Sequence, residues 1–200
     1  ESALLEEVRE HSQAQDREGM QVSPYEGQLL QSLVRWTGSQ RILELGTLFG
    51  YSALWMASAI ESGGQLVTVE KDAERFKTAK SFFAKSSSAS LIHAMQGDIE
   101  ELQGELSELA PFDFLFIDAN KGGYWKALKW GETILKKGGF VVADNTFMFG
   151  GVYGAEISDR WSPSVVENMK RFNARVADTR LYQGSMIPTP EGLIVAQKLF

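Results

Sequence analysis

Short apolar runs and amphipathic stretches alternate along the chain from residue 41 onward. The runs predict five strands: RILELG (41–46), QLVTVE (65–70), LIHAMQ (91–96), FDFLFID (112–118) and GFVVAD (139–144). Between them, apolar residues recur every three or four positions, which is the spacing of one face of a helix. This alternation is typical of βαβ units, so the sequence predicts an α/β fold with a mainly parallel sheet.

Capping signals mark the predicted helices. The four crossover helices are predicted over YSALWMASAI (51–60), DAERFKTAKSFFAK (72–85), DIEELQGELSEL (98–109) and GYWKALKWGETILKK (123–137), the last closed by Gly138 and Gly139. Ser23, Pro24 and Glu26 form a capping-box pattern, which predicts a helix to about Gly38. After the fifth strand, PSVVENMKRFNARVAD (163–178) predicts a helix, and LYQGSMI and GLIVAQKLF predict two closing strands.

Composition narrows the class of protein. Two hundred residues with 44% hydrophobic content predict one domain, and a chain without cysteine has neither disulfides nor thiolate metal sites. The formal charge is −6, and no basic run gives the footprint of a nucleic-acid binder. No apolar stretch is long enough to span a membrane. We therefore expect a cytoplasmic protein with a small-molecule ligand and no nucleic-acid or membrane partner.

The turn after the first predicted strand reads ELGTLFGYS (44–52) and opens a helix. Glu44 would repel a dinucleotide pyrophosphate and favours a cationic ligand, which points to S-adenosylmethionine rather than NAD. Gly46 and Gly50 would let the backbone approach this ligand, and Ser52 would hold its carboxylate. A tight strand-to-helix turn without a ligand is the alternative.

Acidic residues follow the next two predicted strands. Glu70 stands where an acid binds ribose hydroxyls, a feature that NAD enzymes share. Asp98 could contact the adenine edge or simply cap the following helix. Lys71 and Gly97, their neighbours, complete this part of the predicted cofactor site.

The fourth and fifth predicted strands end in Asp118 and in Asp144 followed by Asn145. If these strands are adjacent, they lie about 4.8 Å apart and bring the three side chains close together. Three oxygen ligands would suit a hard cation such as Mg²⁺. Alternatively, Asp144 and Asn145 cap a turn and Asp118 contacts only the cofactor. Lys121 would lie in the loop above the same edge. There the positive charges of the bound cation and of the cofactor sulfonium should lower its pKa and make it a general base.

The segments RILELGTLFGYSALWMA, FDFLFIDANKGGY and GGFVVADNTFMFGG resemble the cation-dependent class I O-methyltransferases, which include catechol and caffeoyl-CoA O-methyltransferases. The likeness runs from MQVSPYEGQLL through IPTPEG. It implies a Rossmann-like, doubly wound seven-stranded sheet with an antiparallel last strand. It also implies a divalent cation on Asp118, Asp144 and Asn145, with Lys121 as the base.

The resemblance further implies a homodimer and a single methyltransferase domain over residues 1–200. Residues 1–38 would form N-terminal helices and a cofactor lid with Met20 and Val22, and residues 41–200 the core. Bacterial relatives usually have Asp where this chain has Asn120, so one acidic charge is lost near the site.

The apolar loop after Asn145 could form the wall for an aromatic acceptor through Phe147, Phe149 and Tyr153, or it could lie in the dimer contact. Three other functions remain as alternatives. A nicotinamide-dependent reductase would need a Tyr-x-x-x-Lys pair, which this chain does not contain. An aminopropyltransferase would not need a metal-ligand asparagine or a lysine base, and a non-catalytic S-adenosylmethionine-binding protein would not need an intact site.

Overall fold

The computed structural model describes residues 1–153 and 161–200, except for the side chains of Glu18, Phe149 and Tyr153. Two compact units make up the chain, Glu1–Glu108 and Leu109–Phe200. None of the helices in the described ranges has the length and apolar character needed to cross a membrane.

The first unit contains three parallel strands, β1 (Arg41–Leu45), β2 (Gln65–Glu70) and β3 (Ile92–Gln96). Its helices are α1 (Ala3–Ala14), α2 (Pro24–Thr37), α3 (Tyr51–Ala57), α4 (Ala73–Phe83) and α5 (Ile99–Glu108). Short 3₁₀ turns cover Glu18–Met20 and Ala89–Leu91.

Local capping explains where the helices of this unit begin and end. Ser23 and Glu26 form the predicted capping box at the start of α2, and Gly38 ends that helix with a φ of +63°. The Asp72 side chain accepts the backbone N–H groups of Glu74 and Arg75 at the start of α4. The sequence signals for both helices are confirmed.

The second unit contains β4 (Phe112–Ile117), β5 (Leu135–Ala143), β6 (Tyr182–Ile187) and β7 (Leu193–Lys198). Strands β4 and β5 are parallel, whereas β7 is antiparallel to both β5 and β6. Its helices are α6 (Tyr124–Ile134) and α7 (Pro163–Val176), with 3₁₀ turns over Lys121–Gly123 and Met148–Tyr153.

Within the described residues, the seven strands form one sheet in the order β3-β2-β1-β4-β5-β7-β6. All six residues of β4 are buried, as expected for a strand covered on both faces. The predicted α/β class, the seven strands and the antiparallel last strand are confirmed.

The predicted boundary between the fourth crossover helix and the fifth strand is wrong. Helix α6 ends at Ile134, and Leu135 is already extended, with φ −84° and ψ 126°. The buried Lys198 amine donates to the carbonyl oxygens of Glu132 and Leu135 at 2.6 and 2.7 Å, which satisfies the end of the helix. Because Lys198 lies more than 60 residues later, no local pattern could indicate this end.

Candidate active site

The glycine turn of the first unit has the backbone that its sequence predicts. Gly46 and Gly50 have φ values of +105° and +90°, which side chains rarely adopt. The Gly46 N–H donates to the Val69 carbonyl at 3.1 Å. A Cβ on Gly50 would overlap the Phe83 ring, so this glycine is also required by packing against α4.

Glu44 lies beneath this turn rather than in it. Its side chain is fully buried, and its two carboxylate oxygens accept the hydroxyl hydrogens of Ser52 and Thr68. The Thr68 hydroxyl is also hydrogen-bonded to that of Thr47. The Ser52 hydroxyl therefore donates to Glu44 in this structure. Its predicted role of holding a cofactor carboxylate stays a prediction.

Glu70 braces the backbone on both sides of the candidate cofactor site. One carboxylate oxygen accepts the Leu48 N–H at 2.8 Å, and the other accepts the Asp72 N–H at 2.9 Å. Leu48 has a φ of +51°, an uncommon conformation that this hydrogen bond helps to hold. Since each oxygen can accept a second bond, the predicted contact with a ribose is compatible with this arrangement.

Asp98 caps α5, as one of its two predicted roles requires. Its Oδ1 accepts the Glu100 N–H at 2.8 Å, and its Oδ2 forms an ion pair with Lys71 at 2.7 Å. That contact raises the pKa of the Lys71 amine. The neighbouring Gly97 N–H donates to the Glu70 carbonyl at 2.9 Å, which links the ends of β2 and β3. Contact of Asp98 with an adenine stays a prediction.

The predicted lid residues differ in exposure. Met20 ends a 3₁₀ turn and is 49% exposed, whereas Val22 is buried. Between them, Gln21 has a buried Oε1 without a hydrogen-bond partner in the part of the chain that the structure describes. Their contact with a cofactor stays a prediction.

In the second unit, the candidate metal ligands follow paired strand ends. Ile117 and Ala143 are register partners in the parallel pair β4 and β5, so Asp118 and Asp144 are the next residues of neighbouring strands. The Asp144 N–H donates to the Ile117 carbonyl at 3.2 Å, which extends this pairing by one step. The predicted adjacency of the two strand ends is confirmed.

Asn145 turns the chain away from the sheet with a φ of +54°. Its N–H donates to the Asp144 Oδ1 at 2.7 Å, which fixes the orientation of that buried carboxylate. No group of three His, Cys, Asp or Glu side chains within residues 1–153 and 161–200 could hold a metal. A cation here would depend on two carboxylates and the Asn145 amide, a donor set of hard oxygens that fits Mg²⁺.

Lys121 is the positively charged residue next to the candidate metal ligands of the second unit. Its ammonium donates to the Asp118 Oδ1 at 2.9 Å and to the Tyr124 hydroxyl at 2.7 Å. Burial alone would lower the pKa of Lys121, but the Asp118 charge and the Tyr124 hydroxyl outweigh burial and raise the pKa. The chain alone therefore does not produce the lowered pKa expected from the sequence, because that lowering requires the charge of bound ligands.

Asn120 has a local structural role. Its side-chain oxygen accepts the Gly122 N–H at 3.0 Å and so caps the 3₁₀ turn that carries Lys121. A short acidic side chain could accept the same bond, so this turn does not require the amide.

The loop after Asn145 is attached to the turn between β6 and β7. Thr146 donates its N–H and its hydroxyl to the Gly192 carbonyl, both at 2.9 Å, and Phe147 N–H donates to the Glu191 carbonyl at 2.8 Å. A Cβ on Gly192 would overlap the Phe147 ring. Phe147 thus packs within this unit, while the side chains of Phe149 and Tyr153 lie outside the described residues.

Two contributors to the site were missed by the sequence reasoning. The first is Tyr124, whose hydroxyl accepts a hydrogen bond from Lys121. Asn173 of α7 donates its side-chain amide to the Thr146 carbonyl at 2.9 Å, although it reads as an ordinary helical residue. The position of Tyr124 three residues after Lys121 was the available signal for the first; no sequence signal indicated the second.

The chain is similar in sequence to known O-methyltransferases. Residues 1–199 match the sequence profile of a family described as O-methyltransferase. A catechol O-methyltransferase from Niastella koreensis is 34% identical over 155 residues, which cover 76% of this chain and 68% of that protein. A caffeoyl-CoA O-methyltransferase from Populus kitakamiensis is 27% identical over 188 residues, covering 90% and 79%.

The fold also matches solved structures. The O-methyltransferase TomG from Streptomyces achromogenes, which is involved in tomaymycin synthesis and was solved in complex with SAM, superposes with a TM-score of 0.90. It is 28% identical in sequence, and the match covers 100% of this chain and 91% of that one.

Proposed function

The chain belongs to the O-methyltransferase family, and we propose that it transfers a methyl group from S-adenosylmethionine to a hydroxyl of a catechol-like or caffeoyl-type phenol, with the help of a divalent cation. The relatives named catechol and caffeoyl-CoA O-methyltransferase support this acceptor class. The structure of TomG in complex with SAM supports the cofactor.

The observation that carries the proposal is the group of polar side chains at the ends of β4 and β5. Asp118 and Asp144 follow register partners, and Asn145 follows directly. All three present oxygen atoms, and Lys121 lies against Asp118. A single aspartate at a strand end is common, whereas two aspartates, an asparagine and a partly buried lysine together are the parts that this reaction needs.

The residues of the second unit would divide the work as follows. Asp118, Asp144 and Asn145 hold the cation, and Lys121 receives the proton of the acceptor hydroxyl. A phenol has a pKa of about 10 and is a weak nucleophile at neutral pH. When bound, the cation supplies positive charge that favours both the phenolate and the neutral form of Lys121. Burial of Asp144 and Lys121 strengthens these interactions by excluding water.

The residues of the first unit would bind the cofactor. Gly46 and Gly50 contribute no side chains to the turn, and Glu70 is available to ribose hydroxyls while it braces that turn. Glu44 contributes a buried negative charge below the turn, which favours a sulfonium over a phosphate. Asp98, Gly97 and Lys71 would contact the adenine, and Met20 and Val22 would cover the cofactor.

Family membership disfavours two of the alternatives considered from the sequence. A nicotinamide-dependent reductase and an aminopropyltransferase are both at odds with a match to the O-methyltransferase family over residues 1–199. A protein that binds S-adenosylmethionine without catalysis remains the competing hypothesis. An assay of methyl transfer separates it from the enzyme.

A homodimer and a cytoplasmic location also belong to the proposal. Tyr25 and Trp36 are 64% and 76% exposed, and a separation of eleven residues places them on the same face of α2. Such a pair of exposed aromatic side chains is available for contact with a second copy of the chain. Sedimentation equilibrium of the wild type and of the double variant Tyr25→Ser/Trp36→Ser measures this; a wild-type monomer at micromolar concentration would contradict the dimer.

The decisive experiment measures transfer of labelled methyl from S-adenosylmethionine to a panel of phenols, with Mg²⁺ and with chelator. The panel contains a catechol, caffeoyl-CoA and, as the matched control, a phenol with a single hydroxyl. We expect transfer to the first two only, and only with the cation, because two vicinal oxygens are needed to orient the acceptor.

Three outcomes would contradict parts of the proposal. Transfer in chelator would contradict the proposed need for a cation. Transfer to the single-hydroxyl phenol would contradict the proposed need for two vicinal hydroxyls. Calorimetric binding of S-adenosylmethionine without transfer to any acceptor would favour the non-catalytic alternative.

A further inference from the structure

Tyr124 is a fully buried residue whose hydroxyl has three polar neighbours. Lys121 Nζ lies 2.7 Å away, the Asp144 carbonyl oxygen 3.0 Å and the Ile117 carbonyl oxygen 3.2 Å. Ile117 immediately precedes Asp118, and Asp144 immediately precedes Asn145. One hydroxyl therefore joins the base candidate to the ends of both strands that carry the candidate metal ligands.

The chemistry of these groups fixes the direction of each hydrogen bond. A carbonyl oxygen can only accept, so the single proton of the Tyr124 hydroxyl points toward Ile117 and Asp144. The remaining lone pairs of that hydroxyl face Lys121, which donates an N–H to it. Tyr124 cannot donate to the lysine nitrogen without giving up its hydrogen bonds to both carbonyls, although the Ile117 carbonyl would keep its bond from the Asp144 N–H.

We propose that Tyr124 is a positioning residue, which orients the Lys121 nitrogen and fixes the spacing of the strand ends that carry Asp118 and Asn145. The inference rests on the proposed roles of Lys121 as the base and of Asp118, Asp144 and Asn145 as cation ligands. Tyr124 itself touches neither reactant and acts through these residues.

The orientation of the base follows from tetrahedral geometry at nitrogen. One position is the bond to the side chain, one N–H points to Tyr124 and one N–H points to Asp118. In the neutral amine the fourth position is the lone pair, which is directed away from both partners. When Lys121 takes the hydroxyl proton of the acceptor, the electron pair of the O–H bond stays on the phenolate oxygen, and the new N–H occupies this fourth position.

The Tyr124 ring is held independently of its hydroxyl. It packs against Phe172 of α7, with ring centroids 5.6 Å apart and an interplanar angle of 67°. The same helix carries Asn173, whose side-chain amide donates to the Thr146 carbonyl in the loop after Asn145. Tyr124→Phe should therefore keep the ring in place and remove only the hydroxyl.

Tyr182 offers a matched control. It is also buried in the second unit, but its hydroxyl donates to the Glu132 carboxylate at 3.0 Å and does not contact Lys121 or a candidate metal ligand. Tyr182→Phe therefore removes a buried tyrosine hydroxyl of equal size from the same unit. Comparison of the two variants separates a loss of stability from a loss of positioning.

The test measures Mn²⁺ binding by electron paramagnetic resonance without cofactor or acceptor, together with kcat, KM and thermal unfolding. Relative to wild type, Tyr124→Phe should weaken Mn²⁺ binding and lower kcat by about 10- to 100-fold each, the range for groups that orient metal ligands. Cofactor affinity should not change. Tyr182→Phe should lower stability comparably and leave Mn²⁺ binding and kcat unchanged.

Equal kcat and Mn²⁺ affinity in the two variants would overturn the proposal. If the wild type neither binds Mn²⁺ nor transfers methyl groups, the proposed function fails instead. Nuclear magnetic resonance then still decides the positioning role: the amide signals of Asp118 and Asn145 should shift in Tyr124→Phe and not in Tyr182→Phe. Unshifted signals would overturn it.

Discussion

Ser52 donates its hydroxyl hydrogen to the carboxylate of Glu44, directly beneath the glycine turn of the first unit. Thr68 donates to the other oxygen of the same carboxylate, so both oxygens of a fully buried side chain are engaged. Glu44 therefore supports the turn through hydroxyl groups, and its predicted effect on a cationic ligand would come from its charge.

Replacing Glu44 separates these two effects. Glu44→Gln keeps the shape and can still bond both hydroxyls, so we expect little loss of stability but weaker binding of S-adenosylmethionine. Glu44→Ala leaves Ser52 and Thr68 without their acceptor and should cost about 1–3 kcal/mol for each hydroxyl. Urea unfolding and calorimetric titration measure the two quantities. Equal destabilisation by both substitutions would show that the hydroxyl network is not the main role.

Gly50 can be tested against Gly63, since both have left-handed backbones with φ values of +90° and +97°. An alanine at either position costs about 1–2 kcal/mol for the backbone alone. At Gly50 the new methyl group also overlaps Phe83, whereas among the described residues nothing lies within 4 Å at Gly63. We expect Gly50→Ala to be the more destabilising and to weaken cofactor binding. Similar unfolding curves for the two variants would contradict the packing argument.

Asp144→Ala should abolish methyl transfer and weaken Mn²⁺ binding by more than about 100-fold, beyond the range for groups that only orient ligands. Cofactor binding should remain measurable, because Asp144 is not among the proposed cofactor residues. Asp113→Ala is the control, since Asp113 is another buried carboxylate of the second unit and forms an ion pair with Lys136 at 3.6 Å. Loss of Mn²⁺ binding in the control would argue against a specific metal site.

A second pair of glycines can be compared in the same way: Gly192 lies in the turn between β6 and β7, and Gly138 lies in β5. Gly192 and Gly138 have φ values of +78° and +79°, but a Cβ on Gly192 overlaps Phe147, and at Gly138 the nearest atom is 3.9 Å away. Gly192→Ala should lower the free energy of unfolding by about 1–3 kcal/mol more than Gly138→Ala does. It should also raise the KM of the acceptor, because the loop after Asn145 must move. An acceptor KM unchanged by Gly192→Ala would separate this turn from the site.

Acid should destabilise the second unit through Glu132. Burial would raise the pKa of this carboxyl, but hydrogen bonds from Arg175, Lys129 and Tyr182 outweigh burial and lower it. A lowered folded-state pKa gives stability that is present above the ordinary value of 4.5 and is lost as pH falls through the folded-state value. Urea unfolding from pH 7 to pH 3 should show that the free energy of unfolding of the wild type falls toward that of Glu132→Gln. A constant difference across this range would contradict the assignment.

Most of the fold could be predicted because the strands and helices have local signals. The β2 run QLVTVE was predicted with both ends correct, since a short apolar run that ends at Glu70 marks it clearly. The end of α6 could not be predicted because it depends on Lys198. A signal from a distant strand is absent from any local window of sequence.

The candidate site could be predicted as a set of residues but not as a set of contacts. Strand order places Asp118 and Asp144 beside each other, and the pattern alone indicated this. The hydroxyl bonds of Ser52 and the raised pKa of Lys121 depend on side-chain directions and burial, which spacing does not specify. The attachment of Thr146 to Gly192 requires two segments that are separated by 46 residues.

The position of β7 between β5 and β6 has a consequence for synthesis on the ribosome. Strand β5, which leads into Asp144 and Asn145, has an open edge until residues 193–198 have emerged. Unpaired backbone groups on such an edge can pair with other nascent chains. The segment that carries two candidate metal ligands is thus among the last to be protected from aggregation, and slow translation of β6 and β7 should lower the yield of folded protein.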